Sequence, residues 1–179
     1  MKSLLTLSVI LMTCSLASAV TAHPTSHTAA AKAPYDAQYL DSMTKHHQDG
    51  IMMFNMAIEK AAMPAVKAKA QMMAQMQQQD IKDMQAMRSN IQSDAQPAVN
   101  MKLPGMMPMN MKPLQSASGM GFDTMFIDMT IKHHEDAIKM SKDALSHSKM
   151  PGVRAMAQKV IDDSNKDIAD LKAMKTPMQ

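Results

Sequence analysis

The sequence predicts an all-α protein, a four-helix bundle made of two repeated helical hairpins. Three observations carry this reading. The stretch Lys45-His46-His47-Gln48-Asp49-Gly50-Ile51-Met52-Met53 returns as Lys132-His133-His134-Glu135-Asp136-Ala137-Ile138-Lys139-Met140, at an offset of 87 (133 − 46). The offset runs without a gap from Tyr39-Leu40 against Phe126-Ile127 to Asp80-Ile81 against Asp167-Ile168, which marks two copies of one supersecondary unit. Apolar residues in each copy follow a helical period, and no segment sustains an alternation of period two.

Residues 1–22 read as a secretory signal. Lys2 supplies the charged start, Leu4 to Leu16 the apolar stretch, and Ala17-Ser18-Ala19 or Val20-Thr21-Ala22 the cleavage pattern. Cys14 is the only cysteine and falls inside that signal, so the exported chain has no disulfide and relies on core packing. About 155 residues then remain, enough for one core. No other stretch is continuously apolar enough to insert in a membrane, so a periplasmic or secreted protein is expected. Residues 23–33 read as a flexible polar lead-in. Cleavage after Ala22 would leave His23 at the N-terminus, where its amine and imidazole together can chelate Cu(II).

The first hairpin is expected over residues 34–93. One helix opens at Pro34 and runs to about 62; Met63-Pro64 turns the chain, and a second helix runs to about 91. Residues 94–121 form a Met-rich linker. The second hairpin, residues 122–176, turns at Met150-Pro151. Two such hairpins can bury their apolar faces only against each other, and the long connection between them is that of ferritin-like topologies.

On the first helix, at 100° per residue with His46 at 0°, Met53, Gly50, Met43, Phe54, Leu40 and Ile51 fall between about −20° and +140°. His46 and His47 lie inside that apolar sector, and Asp49 lies at its edge. His133, His134, Asp136 and Met140 repeat the arrangement. A single inward histidine is explained by packing and one hydrogen bond. Four of them, in two pairs each followed by Asp, are not, because Leu or Met would fill those places at a lower desolvation cost. Metal ligation by His46, His47, His133 and His134, with Asp49, Asp136, Met43, Met53 and Met140 within two turns, is the expectation.

Methionine is the compositional outlier, with 25 residues. In the helices Met fills gaps that this aromatic-poor chain cannot fill otherwise, and Met72, Met73, Met84 and Met87 are expected in the core. The linker differs. Pro104, Gly105, Pro108 and Pro113 exclude a stable helix, so Met106, Met107, Met109 and Met111 are expected as exposed thioethers on a mobile segment. Soft thioethers select Cu(I), and Ag(I) by extension. A net charge of +3 from well-mixed charges, with 3% aromatics, argues against nucleic acid as a partner.

The pattern Tyr39-Leu40-x-x-Met43-x-x-His46-His47-Gln48-x-Gly50-Ile51-x-Met53 resembles the signature of domain-of-unknown-function family 305. Phe126-Ile127 through His133-His134-Glu135-x-Ala137-Ile138-x-Met140 matches it again, and Gln77, Asp80, Ile81 and Met84 match its second-helix pattern. The second copy departs at Thr130, Ser164 and Leu171. The resemblance implies a ferritin-like helical protein of the bacterial envelope and, through the CopM-type periplasmic copper-binding members, copper handling. The expectation is an exported copper chaperone or sequestering protein for Cu(I) and Cu(II), or Ag(I), with copper ions and an envelope copper-export or copper-oxidase protein as partners.

Two other classes compete. A ferritin-like di-metal oxidase wants four glutamates and Glu-x-x-His motifs. This chain has only Glu59 and Glu135, neither followed by His at three residues, so no enzyme is expected. A metal-free Met-cored bundle accounts for the helices but not for the linker.

Overall fold

The computed structural model describes residues 32–91 and 96–175. The expected signal peptide, most of the expected lead-in and His23 lie outside them. The described residues form α1 (Tyr35–Lys60), α2 (Pro64–Ser89), a short α3 (Lys112–Ser116), α4 (Gly119–His147) and α5 (Pro151–Lys175), with no strand among them. The all-α bundle of two hairpins is what the repeat implies. Pro34 sits one residue outside α1 as its N-cap, whereas Pro64 occupies the first turn of α2, where a missing N–H leaves no bond unmade. The carboxylate of Asp123 accepts from the backbone N–H of Ala62 (2.9 Å) and of Met63 (2.7 Å), tying the first turn to the other hairpin.

α1 and α4 cross the middle of the bundle antiparallel. Tyr39 hydroxyl meets Ser141 Oγ at 3.1 Å, while Thr130 Oγ1 lies 3.9 Å from Met53 Sδ. The core therefore divides into two apolar clusters. Tyr39, Leu40, Met43 and Met84 pack with Ala137, Met140 and Val153 at one end. Met53, Phe54, Val66 and Met73 pack with Phe122, Phe126 and Ile127 at the other. The paired histidines lie between them. Met72, expected inside, is 54% exposed, because its neighbour Met73 takes the core position and Met72 is turned about 100° away.

α2 ends beside the first cluster and α4 begins beside the second, so the connection must run the length of α1, about 39 Å for 26 residues. Along this path the described part of the connection is tied to the bundle at several points. Asp41 holds its start, accepting from Arg88 Nε (2.9 Å) and Ala98 N–H (2.6 Å), and Asn100 N–H donates to Ser42 Oγ (2.9 Å). Lys60 Nζ donates to the Gln115 carbonyl at the far end (2.7 Å). Leu103 and Met106 pack into the first cluster, and Leu114, Met109 and Met111 into or against the second. The expectation that all four linker methionines are exposed is corrected: Met106 is 5% exposed and Met107 is 67% exposed.

Candidate metal centre

The four histidines are buried side by side at the waist of the bundle. Consecutive residues on a helix diverge by about 100°, so each pair splits between two walls. His46 and His133 turn toward the linker, and their rings stack at a centroid distance of 3.9 Å. His47 and His134 turn toward α2 and α5.

The linker wall is a cleft of about 430 Å³. His46 and His133 form its floor, and Met106, Met107 and Met109 from the linker and Met129 from α4 line it, with Asp49 and Asp136 at its edge. Gly105 makes this docking possible. Its φ is +83°, and a Cβ there would stand 2.1 Å from the Asp136 carbonyl oxygen, so the chain can lie against α4 only without a side chain. Gly50 does the same for the floor, since a Cβ would meet His133 Cε1 at 2.7 Å and Gln77 Oε1 at 2.5 Å.

The opposite wall is a cavity of about 10 Å³ lined by His47, His134, Asp80, Asp167 and Gln77, among others. Asp80 and Asp167 are repeat equivalents that the sequence reading aligned but gave no role. Their recurrence at the same offset as the histidines was the available signal. Lys159 Nζ holds Asp80 Oδ1 and Lys69 Nζ holds Asp167 Oδ1, both at 2.7 Å. Burial pushes Asp80 up, but its His47 and Lys159 neighbours outweigh burial and hold it below the usual carboxylate range. For Asp167 burial prevails over Lys69 and leaves it raised.

The other expected ligands are distributed unevenly. Met43 and Met140 fill the first apolar cluster and Met53 the second, beside the histidine layer rather than on either cavity wall. Met111 packs against the second cluster. Asp49 is ion-paired with Lys45, and Asp136 with Lys132 and Lys139.

The histidines themselves are poorly satisfied. His133 Nε2 lies 3.0 Å from the His46 carbonyl oxygen, but Nδ1 of all four rings has no hydrogen-bond partner in the protein, nor has His134 Nε2. Burial holds His133 down to about 4. Burial, then the neighbouring imidazoles, hold His46 and His134 well below the ordinary histidine range. These three are therefore neutral, the form in which imidazole binds metal. Orphaned buried nitrogens are costly unless something satisfies them, and the donor set fits a metal ion. Among the described residues no three His, Cys, Asp or Glu side chains already converge on one point. An ion at the floor of the cleft would therefore draw on thioethers to complete its shell.

The model of the family described as "Domain of unknown function (DUF305)" matches residues 16–88 and 36–175. The chain belongs to this family. Among solved structures, CopM in its Cu(II)-bound form is similar at 29% identity and a TM-score of 0.71, over 80% of this chain and 97% of that one. CopM in its Cu(I)-bound form is similar at 26% identity and a TM-score of 0.68, over 79% and 96%. A DUF305 protein of Streptomyces coelicolor shares the fold at 19% identity and a TM-score of 0.71, over 80% and 93%. No curated protein matches the chain. Among the described residues of this DUF305 chain no helix is long and apolar enough to cross a membrane.

Proposed function

We propose that this protein binds copper in the bacterial envelope, as a chaperone or sequestering protein, and holds Cu(I), or Ag(I), in the cleft between α1, α4 and the linker. One observation carries the reading: two stacked, neutral imidazoles with unpartnered Nδ1 atoms floor a cleft lined by four thioethers. Neutral nitrogen and sulfur donors suit a soft monovalent ion, and thioethers form no disulfides in an oxidising compartment. The likeness to CopM, solved with Cu(I), Cu(II) and Ag, supports the same chemistry. Met107, exposed at the rim, is the point where an ion passes to or from an envelope partner.

The function asked of the site is binding, not turnover. Glu59 and Glu135, the only glutamates, are both exposed, which places them away from a di-metal position inside the bundle. Fe(II) and oxygen should accordingly give no protein-dependent ferroxidase turnover; saturable oxidation would make the protein an enzyme.

The test of binding is His46→Gln with His133→Gln, followed by thermal melts with and without one equivalent of Cu(I) under anaerobic conditions. The wild-type shift on metal addition should vanish in the double variant, because only ligation links metal to stability. A shift that survives removes the ligand assignment.

A further inference from the structure

The thioethers of the cleft differ in what else they meet. Met106, Met107, Met109 and Met129 all line it, yet Met106 is buried and Met109 and Met129 are half-buried. Met107 alone among these four is an exposed side chain, at 67%. The other exposed large apolar side chains among the described residues, Met52, Met72, Met120 and Met150, do not line the cleft. Local chain chemistry produces the difference between the two neighbours. Met106 N–H donates to the Leu103 carbonyl (3.0 Å), a turn over Pro104 and Gly105 that carries Met106 into the first apolar cluster. Pro108 disfavours a helical conformation at Met107, so the chain runs on extended and the next side chain turns the other way.

Access decides which thioether a peroxide reaches, and oxidation converts an apolar side chain into a polar one. A lone pair of the Met107 sulfur attacks one oxygen of hydrogen peroxide. The S–O bond forms and the O–O bond breaks, and the proton of the transferred hydroxyl leaves with the departing hydroxide as water. Sulfur loses two electrons and the peroxide is reduced. The sulfoxide is a weaker sulfur donor and presents oxygen, which suits a soft monovalent ion poorly. Met43, Met53, Met73, Met84 and Met140 are fully buried, so the bundle keeps its packing while the cleft loses a donor.

We infer that Met107 is an oxidation switch on the cleft. Hydrogen peroxide converts it to the sulfoxide, which lowers the affinity for Cu(I) or Ag(I) without unfolding the bundle, and a thiol-dependent sulfoxide reductase restores it. The inference rests on the cleft reading and adds its regulation. Met106, one residue away, keeps its thioether because the fold shelters it.

The experiment treats the metal-free protein with hydrogen peroxide, removes the oxidant, and maps the product by peptide mass spectrometry. Cu(I) is then titrated anaerobically against a chromophoric competitor. Met107 should gain one oxygen while Met106 stays unmodified, and Cu(I) affinity should fall to that of Met107→Leu, with circular dichroism unchanged. Met107→Leu itself should show no further fall after peroxide, whereas Met52→Leu with Met72→Leu should respond as the parent does. Methionine sulfoxide reductases A and B, with a dithiol as reductant, should return the oxidised protein to its starting affinity. Bound Ag(I) should shield Met107 from peroxide and leave Met52 and Met72 reactive. Affinity unchanged once Met107 is oxidised, an equal fall in Met107→Leu, an unshielded Met107, or oxidation of Met106 ahead of Met107 would each overturn the switch. Cu(I) binding that survives His46→Gln with His133→Gln would overturn the cleft, and the switch with it, before any peroxide is used.

Discussion

His133 reaches across the bundle to His46: its ring stacks on the His46 ring at 3.9 Å, and its Nε2 lies 3.0 Å from the His46 carbonyl oxygen. The two are the same residue of the two repeats, so one interaction joins the copies at the floor of the cleft. With Nε2 engaged, Nδ1 of His133 is the nitrogen left without a protein partner.

That contact depends on the absence of a side chain at Gly50, whose repeat equivalent is Ala137. Gly50→Ala puts a methyl group 2.7 Å from His133 Cε1 and 2.5 Å from Gln77 Oε1. It should destabilise the apo protein by about 1–3 kcal/mol, as overpacking does, despite alanine's better helix propensity. It should also weaken Cu(I) binding by displacing His133. Urea denaturation and a competitive Cu(I) titration check the two effects; a more stable variant with unchanged affinity would contradict the packing of the floor.

Linker methionines should differ sharply in their effect on stability. Met106→Ala removes a buried side chain and should destabilise by about 2–4 kcal/mol. Met107→Ala, at an exposed position, should change stability by no more than about 0.5 kcal/mol. Replacing Met106, Met107, Met109 and Met111 together with Leu keeps the apolar volume and should cost little, while Cu(I) equivalents are lost. Equal effects of the two alanine variants in chemical denaturation would show that the linker is not docked.

Gly105→Ala tests the docking at its pivot. The left-handed φ and the Asp136 carbonyl both exclude a Cβ, so the segment must lift from α4. Protease cleavage between Met101 and Lys112 should accelerate and Cu(I) affinity should fall, with the helical content retained. Unchanged cleavage kinetics would count against this role.

Acid should destabilise the apo protein through its buried histidines. The folded-state value of His133 is depressed to about 4 from an unfolded value near 6.5, so the folded state binds fewer protons between those limits. Its contribution is fully present above pH 6.5 and is lost as pH falls toward 4, amounting to about 3 kcal/mol for 2.5 units at 1.36 kcal/mol each. Burial shifts His46 and His134 in the same direction. Stability measured from pH 7.5 to pH 4 should therefore fall, and His133→Gln should flatten the slope. A parallel slope in the variant would remove His133 as its source.

Much of this was legible in the chain before any coordinates. The two hairpins, their turns at Pro64 and Pro151, and the inward pointing of His46, His47, His133 and His134 follow from helical period, proline chemistry and the repeat, all of which are local signals. What the repeat could not say is which wall each histidine faces. A separation of about 100° sends His46 and His47 apart, but the neighbours they meet are set by how the hairpins pack. Asp80 and Asp167 were visible as repeat equivalents, yet only the packing of α2 and α5 against α1 and α4 brings them to His47 and His134. The linker shows the limit most clearly. Pro104, Gly105 and Pro108 forbid a helix, which is a local fact about backbone dihedrals. Whether a non-helical segment lies on the protein or away from it depends on the surface beneath. Antiparallel packing of the hairpins put the end of α2 and the start of α4 at opposite ends of the bundle. The segment between them had to cross the histidine layer, and that crossing is what places Met106, Met107 and Met109 over His46 and His133.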